Sequence, residues 1–255
     1  MNDLESLART PRLLVALDFD GTLSPLVDEP MSARMIPEAR QALDALVALP
    51  DTDVALVSGR TLADLRVISE HSNDSHFHLA GSHGAETWHP GTQAEDDDDA
   101  DRADRVLLDE LVAEAQRIVA GIDGAWVEPK AFGLGLHTRL AQPDAAEQAQ
   151  REIDALMQER APRWRRRTGR DILEFAFRHE GKDQAVAALR ERLGATAVLF
   201  AGDDVTDEDA LRSLGDGDLG VHVGGGDSAA SVSVEDPAAL AALLTRLAQL
   251  RARRG

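Results

Sequence analysis

Three short apolar runs in the chain are built alike. Leu13–Leu17 leads into Asp18-Phe19-Asp20-Gly21-Thr22, Val54–Val57 into Ser58-Gly59-Arg60, and Ala197–Phe200 into Ala201-Gly202-Asp203-Asp204. Runs this short and without polar alternation suit parallel strands covered by helices on both faces. Each ends in polar groups beside a glycine. The helical-period segments PEARQALDALVAL (37–49) and DQAVAALRERLG (183–194) each precede an apolar run, so strand and helix alternate. The pattern predicts a doubly wound α/β core with a parallel sheet, whose ligands bind at the carboxyl ends of the strands.

The middle of the chain has another rhythm. A helix (DRVLLDELVAEAQRIVAGI) precedes strands AWVEPKAF and LGLHTRL, and a second helix (DAAEQAQREIDALMQER) precedes strands WRRR and DILEFAF. This helix-strand-strand unit, stated twice, predicts a smaller α+β layer. Its last two strands read as a hairpin joined through Thr168-Gly169. The expected organisation is a core of residues 1–87 and 179–255 with a domain of residues 88–178 inserted. The stretch HPGTQAEDDDDADRAD (89–104) reads as a solvated linker ahead of a helix rather than a cation site. VGGGDSAA (223–230) reads as the turn by which the last core strand leaves the sheet. The closing helix PAALAALLTRLAQLRARRG has an apolar face and a basic carboxyl end, as packing requires.

Composition narrows the chemistry. With 46 acidic and 27 basic residues the net charge is −19, which repels nucleic acid and anionic membrane faces. No apolar run approaches the roughly 20 residues that span a bilayer, and the first residues lack a basic patch followed by an apolar core. A soluble cytoplasmic protein, monomeric or weakly oligomeric, is expected. Cysteine is absent, so disulfides, thiolate metal sites and cysteine nucleophiles are excluded.

In a strand, residues i and i+2 face one side, so Asp18 and Asp20 converge while Phe19 turns into the packing and Gly21 lets the chain bend away. Two ionised carboxylates in one small volume repel, and a hard divalent cation, Mg²⁺ above all, relieves that repulsion. Asp203 or Asp204 at another strand end would complete the cage. One aspartate could then attack phosphorus while the other handles the proton of the leaving oxygen. Ser58 and Lys182, the latter beside a helix start, suit the charge of a phosphoryl group in transfer. Arg60 lies at the same mouth, as a salt-bridging or a substrate-binding group. His83 and His137 read as surface or hydrogen-bonded histidines rather than metal ligands. The cluster Arg163, Arg165, Arg166, Arg167 and Arg170 reads as paired surface charge.

DFDGTL (18–23), Ser58, Lys182 and GDDVTDEDA (202–210) together resemble the haloacid dehalogenase superfamily of phosphatases. GSHGAE (81–86), VEPK (127–130) and LEF (173–175) are similar to its trehalose-6-phosphate phosphatase family. The resemblance implies a Rossmann-like core with a C2-type cap, Mg²⁺ as cofactor and a sugar phosphate as substrate. It implies that Asp18 is nucleophile and metal ligand and Asp20 the general acid and base, meeting the metal through its carbonyl. Asp203 would be the remaining protein ligand, with Asp204 and Asp207 supporting the metal. Ser58 and Lys182 match phosphate-binding positions, and Glu128, Lys130 and Glu174 match sugar-recognising ones. Glu128 and Lys130, at i and i+2 of a predicted strand, project to one side, and carboxylates and ammonium groups suit the reading of sugar hydroxyls. Related capped phosphatases for sucrose phosphate or mannosyl phosphoglycerate, or a regulatory module without chemistry, are the alternatives. The lysine motif departs from the pattern: Asp183 replaces the usual glycine, as a helix cap or as a group drawing charge from Lys182.

Overall fold

The computed structural model describes residues 2–92, 102–169, 171–178 and 181–253. In chain order its elements are α1 (Asn2–Ala8), β1 (Leu13–Leu17), α2 (Pro37–Val47), β2 (Thr52–Val57), α3 (Leu62–Ile68), β3 (His78–Gly81), β4 (Glu86–Trp88), α4 (Arg102–Val119), β5 (Trp126–Lys130) and β6 (Gly133–His137). There follow α5 (Pro143–Arg160), β7 (Arg165–Gly169), β8 (Ile172–Ala176), α6 (Lys182–Leu193), β9 (Ala197–Gly202), α7 (Glu208–Ser213), β10 (Leu219–Val223), β11 (Val232–Val234) and α8 (Pro237–Ala252). They fall into two compact units, Met1–Glu95 with Glu180–Gly255, and Asp96–His179.

The first unit is built on a seven-stranded sheet in the order β11-β10-β9-β1-β2-β3-β4. The three apolar runs are its centre, with β1 pairing in parallel with β2 on one side and β9 on the other. Side chains of β1 alternate between two cores. Leu13, Val15 and Leu17 pack with Leu43 and Leu46 of α2 and Leu240 and Leu244 of α8. Leu14 and Ala16 pack with Ala185, Val186 and Leu189 of α6 and Ala210 of α7. Burial on both faces is why no polar alternation marks the strand. The edge strand β4 runs antiparallel to β3, and its Trp88 pairs with Leu79 and is buried in the first core. Trp88, which the sequence pattern assigns to the inserted domain, thus belongs to this sheet. Arg251 near the end of α8 is buried, and its guanidinium donates to Thr52 Oγ1 and to the carbonyls of Ala8, Thr10 and Asp51. It ties the chain's first turn to the closing helix, a role beyond matching a helix carboxyl end.

The second unit is the twice-stated helix-strand-strand pattern, folded as an antiparallel sheet in the order β5-β6-β8-β7. Val127, Leu134, Leu136, Leu173 and Phe175 pack with Leu111 and Ala115 of α4 and Ile153 and Leu156 of α5. The alternate residues, including Glu128, Lys130, Gly135, His137 and Glu174, occupy the opposite face. Thr168 and Gly169 do not form the hairpin connection: both lie in β7, Gly169 pairs with Ile172, and the chain reverses between them, where Asp171 has φ 56°. In the arginine cluster, Arg166 forks onto Asp154 at 2.7 and 2.9 Å. Arg170 and most of the acidic stretch lie outside the described residues. Among the described residues no helix is long and apolar enough to cross a membrane.

Candidate active site

The parallel ladder carries β1 one residue beyond its end, the Asp18 amide donating to the Ala201 carbonyl at 2.9 Å. Phe19 is fully buried in the first core, so Asp18 and Asp20 turn to the other side, as the period of two requires. Their carboxylates nevertheless take different partners. Asp18 is buried and accepts from the Lys182 ammonium at 2.7 Å. Asp20 is gripped by Arg60, whose Nε and Nη2 each donate at 2.7 Å. This two-pronged contact is the strong form of an Arg–carboxylate pair. Ser58, at the end of β2, is buried and accepts from the Arg60 amide at 3.2 Å.

The group that closes on Asp18 is Asp203 with Asp207. Oxygens of Asp18, Asp203 and Asp207 lie within 4.8 Å of one another. The Thr22 hydroxyl sits between Asp18 and Asp203, 3.4 Å from one and 3.3 Å from the other. Thr22 stands in the quoted motif, but sequence reasoning assigns it no role. Gly21 has φ 78°, and a Cβ on it would fall 2.0 Å from Asp203 Oδ2; only glycine fits beside this carboxylate. Asp207 is fully buried and holds the loop: its Oδ2 accepts from the amides of Asp203 and Asp204 at 3.1 Å, while Oδ1 accepts from Lys182 at 2.7 Å. Asp204 turns away, accepting from the Thr206 amide and hydroxyl at 2.8 and 2.7 Å and from the Asp207 amide. Between the two candidates left open by the sequence, Asp203 joins the cluster and Asp204 shapes the loop.

Lys182 is the first residue of α6, and the N-cap position is Gly181, without a side-chain cap bond. Asp183 therefore stands inside the first turn, not at the cap. The charge of Lys182 is met by Asp18 and Asp207 instead.

Burial pushes the Asp18 carboxyl up to about 6, against the pull of Lys182 and with Asp203 adding repulsion. Burial and the charges of Asp207 and Asp204 push Asp203 up to about 6, and burial with Asp18 pushes Asp207 to about 7. Burial alone would lower Lys182, but Asp18 and Asp207 outweigh it and hold it above its ordinary value. One ammonium thus faces three crowded carboxylates. Oxygen donors of this number and charge are the set a hard divalent cation takes, and among the described residues no histidine or cysteine joins the cluster. A consequence follows for the metal-free protein. Folded pKa values above the unfolded 3.8 mean that the folded chain holds extra protons between about pH 4 and 7. Its stability is therefore expected to fall as pH rises through that window, and Mg²⁺ to restore stability at pH 7 but not at pH 4.5. Urea unfolding at the two pH values, with and without Mg²⁺, checks this; equal Mg²⁺ effects at both would count against the cluster as the cation site.

The second unit brings the three remaining predicted residues into pairs. Lys130 donates to Glu174 across the sheet. Glu128 contacts His137 Nε2 at 2.6 Å, and the His137 ring stacks on Trp126 at 4.7 Å with planes 4° apart. Trp126 does not stand out in the sequence, and its contact with His137 needs the β5–β6 register, which sets the two directly opposite each other.

The model of the trehalose-phosphatase family matches residues 16–239. A trehalose-phosphate phosphatase of Mycobacterium marinum is 34% identical over 252 residues, 93% of this chain and 62% of that protein. One of Mycobacterium tuberculosis is 33% identical over 258 residues, 96% of this chain and 63% of that protein. The chain thus spans a little under two thirds of the length of these relatives. Among solved structures, the trehalose-6-phosphate phosphatase of Aspergillus fumigatus matches with a TM-score of 0.75 at 26% identity, covering 96% of each chain.

Proposed function

Because the chain belongs to the trehalose-phosphatase family, we propose that it hydrolyses trehalose 6-phosphate to trehalose and inorganic phosphate, with Asp18 as the group that carries the phosphoryl. The observation that carries this reading is the buried Asp18 held by Lys182 at 2.7 Å within a carboxylate cluster. Mg²⁺ is the cation proposed for that cluster, held by Asp18 and Asp203 with the Asp20 carbonyl, and with Asp204 and Asp207 supporting the loop. When bound, it neutralises the carboxylates and draws charge from the phosphoryl oxygens.

The chain's own groups account for the rest. A carboxylate oxygen of Asp18 bonds to phosphorus as the bond to the sugar oxygen breaks, and protonated Asp20 gives that oxygen its proton. Water then attacks phosphorus, Asp20 takes a proton from it, and the bond to Asp18 breaks, releasing phosphate. Lys182 and Ser58 supply a fixed cation and a hydroxyl for the phosphoryl oxygens. Arg60, bound to Asp20 at both prongs, orients the proton carrier and stands close enough in sequence to Ser58 to serve the phosphate as well.

Recognition of the disaccharide is assigned to the inserted domain, through Glu128, Lys130 and Glu174. Glu128→Ala and Glu174→Ala are each expected to lower kcat/KM on trehalose 6-phosphate about 10²-fold, a scale set by leaving polar partners unpaired, while a small aryl phosphate is cleaved at the original rate. Equal losses on both compounds would argue against a sugar-reading role. The overall reading is tested by phosphate release from a panel of sugar phosphates with and without EDTA. Trehalose 6-phosphate should be preferred and EDTA should stop turnover; preference for another sugar phosphate, or turnover unaffected by EDTA, overturns it.

A further inference from the structure

The loop that follows β3 has an uncommon backbone. Ser82 and His83 have φ of 48° and 60°, and Gly84 follows at 108°. Three successive residues thus stand in the left-handed region, which residues other than glycine occupy only where the surroundings hold them. What holds them is the loop carrying Ser58 and Arg60. The Ser82 amide donates to the Arg60 carbonyl at 2.6 Å and the His83 amide to the Ser58 carbonyl at 2.9 Å. Glu86 Oε2 accepts from the Leu62 amide at 3.1 Å and from the Ser82 hydroxyl at 2.5 Å. The His83 imidazole lies against Gly59, where an added Cβ would meet its Cε1 at 2.8 Å and its Nε2 at 2.9 Å. On the other flank, a Cβ on Gly84 would meet Ala185 Cβ at 2.6 Å, one turn along α6 from Lys182. A single left-handed turn is therefore wedged between the elements that present Ser58, Arg60 and Lys182.

We propose that His83 is a positioning residue for phosphoryl transfer: its imidazole, thrust onto Gly59 by the left-handed turn, fixes the Ser58–Arg60 loop and, through the two-pronged Arg60 contact, the carboxylate of Asp20. The proposal deepens the reading given above and rests on it, since Asp20 is the proton carrier there. His83 acts through its neighbours. Its effect belongs to the phosphate end of the reaction and is blind to the sugar.

The test compares wild type, His83→Ala, His83→Asn, Gly59→Ala and the Gly59→Ala/His83→Ala double variant on trehalose 6-phosphate and on a small aryl phosphate. His83→Ala should lower kcat about 10- to 100-fold on both esters, as a displaced proton donor does, with KM and the half-saturating Mg²⁺ concentration little changed. His83→Asn tolerates the left-handed backbone but lacks the ring, so it should resemble His83→Ala. Recovery of wild-type kcat by His83→Asn would mean that only the backbone matters, and would overturn the role of the imidazole. Gly59→Ala should lose activity because its Cβ displaces the ring; once the ring is gone the methyl has room, so the double variant should be no worse than either single one. Additive losses, or wild-type kcat in His83→Ala, overturn the proposal. Amide hydrogen exchange of residues 58–62 is read in parallel. If wild type cleaves neither ester, the functional reading fails while the wedge is judged by exchange alone: faster exchange at the Arg60 and Leu62 amides in His83→Ala upholds it, and unchanged exchange overturns it.

Discussion

Asp18→Asn is expected to reduce phosphate release from trehalose 6-phosphate by about 10⁴-fold or more, the scale on which loss of a nucleophile is felt in a concerted site. The amide keeps the shape of the carboxylate but cannot form the bond to phosphorus. The same change has an unusual thermodynamic signature. Asp18 is crowded by Asp203, and burial already pushes its carboxyl up to about 6, so at pH 7 the metal-free protein carries an ionised group it holds reluctantly. Replacing it by a neutral amide removes repulsion while leaving Asp207 to pair with Lys182. The metal-free variant should therefore melt no lower than wild type at pH 7, and Mg²⁺ should stabilise it less. Single-turnover phosphate release combined with melting curves checks both halves. Retained turnover would remove Asp18 as the phosphoryl carrier, and a collapsed melting temperature would mean that its role is to hold the fold.

Lys182→Ala should do the opposite to stability. The ammonium is nearly inaccessible and stands 2.7 Å from both Asp18 and Asp207, the only cation in direct ion-pair contact with either carboxylate among the described residues. Removing one partner of a buried ionic group leaves uncompensated charge and costs about 3–5 kcal/mol. Asp207 also holds the 203–204 amides, so the loop that presents Asp203 should loosen with it. Because the affected carboxyls have raised pKa values, lowering the pH from 8 to 5 lets them take up protons and should return most of the lost stability; added Mg²⁺ should return part of it at pH 8. Urea unfolding across pH measures this. A pH-independent deficit would show that the lysine stem packs rather than its charge pairs.

The central strands are legible in the sequence because β1, β2 and β9 are covered on both sides, and such strands show unbroken apolar runs. Strand β3 and the edge strands β4 and β11, with their His, Glu, Thr and Ser positions, are three or four residues long, too short for any period to declare itself. The inserted unit is legible because its helices are long and its strands come in pairs, yet the reversal after Gly169 is misplaced by two residues because a Thr-Gly pair mimics a turn. At the site, Asp18, Asp20 and the Asp203-Asp204 pair stand out at the ends of apolar runs and Lys182 ahead of a helix, whereas Asp207 enters only through the family resemblance. The contacts are not legible: Asp207 reaching Lys182, Arg60 reaching Asp20 and His83 reaching Gly59 depend on loops that meet only after the sheet is assembled.

The antiparallel sheet of the second unit turns Val127, Leu134, Leu136, Leu173 and Phe175 toward α4 and α5, and Glu128, Lys130, His137 and Glu174 toward its other face. Because neighbouring positions along each strand serve different faces, Glu128, Lys130, His137, Glu174 and Arg167 can be exchanged in combination without opening a cavity beneath them. A library confined to this lattice of alternate positions would vary the charge and hydrogen-bonding pattern of one sheet face on an unchanged scaffold.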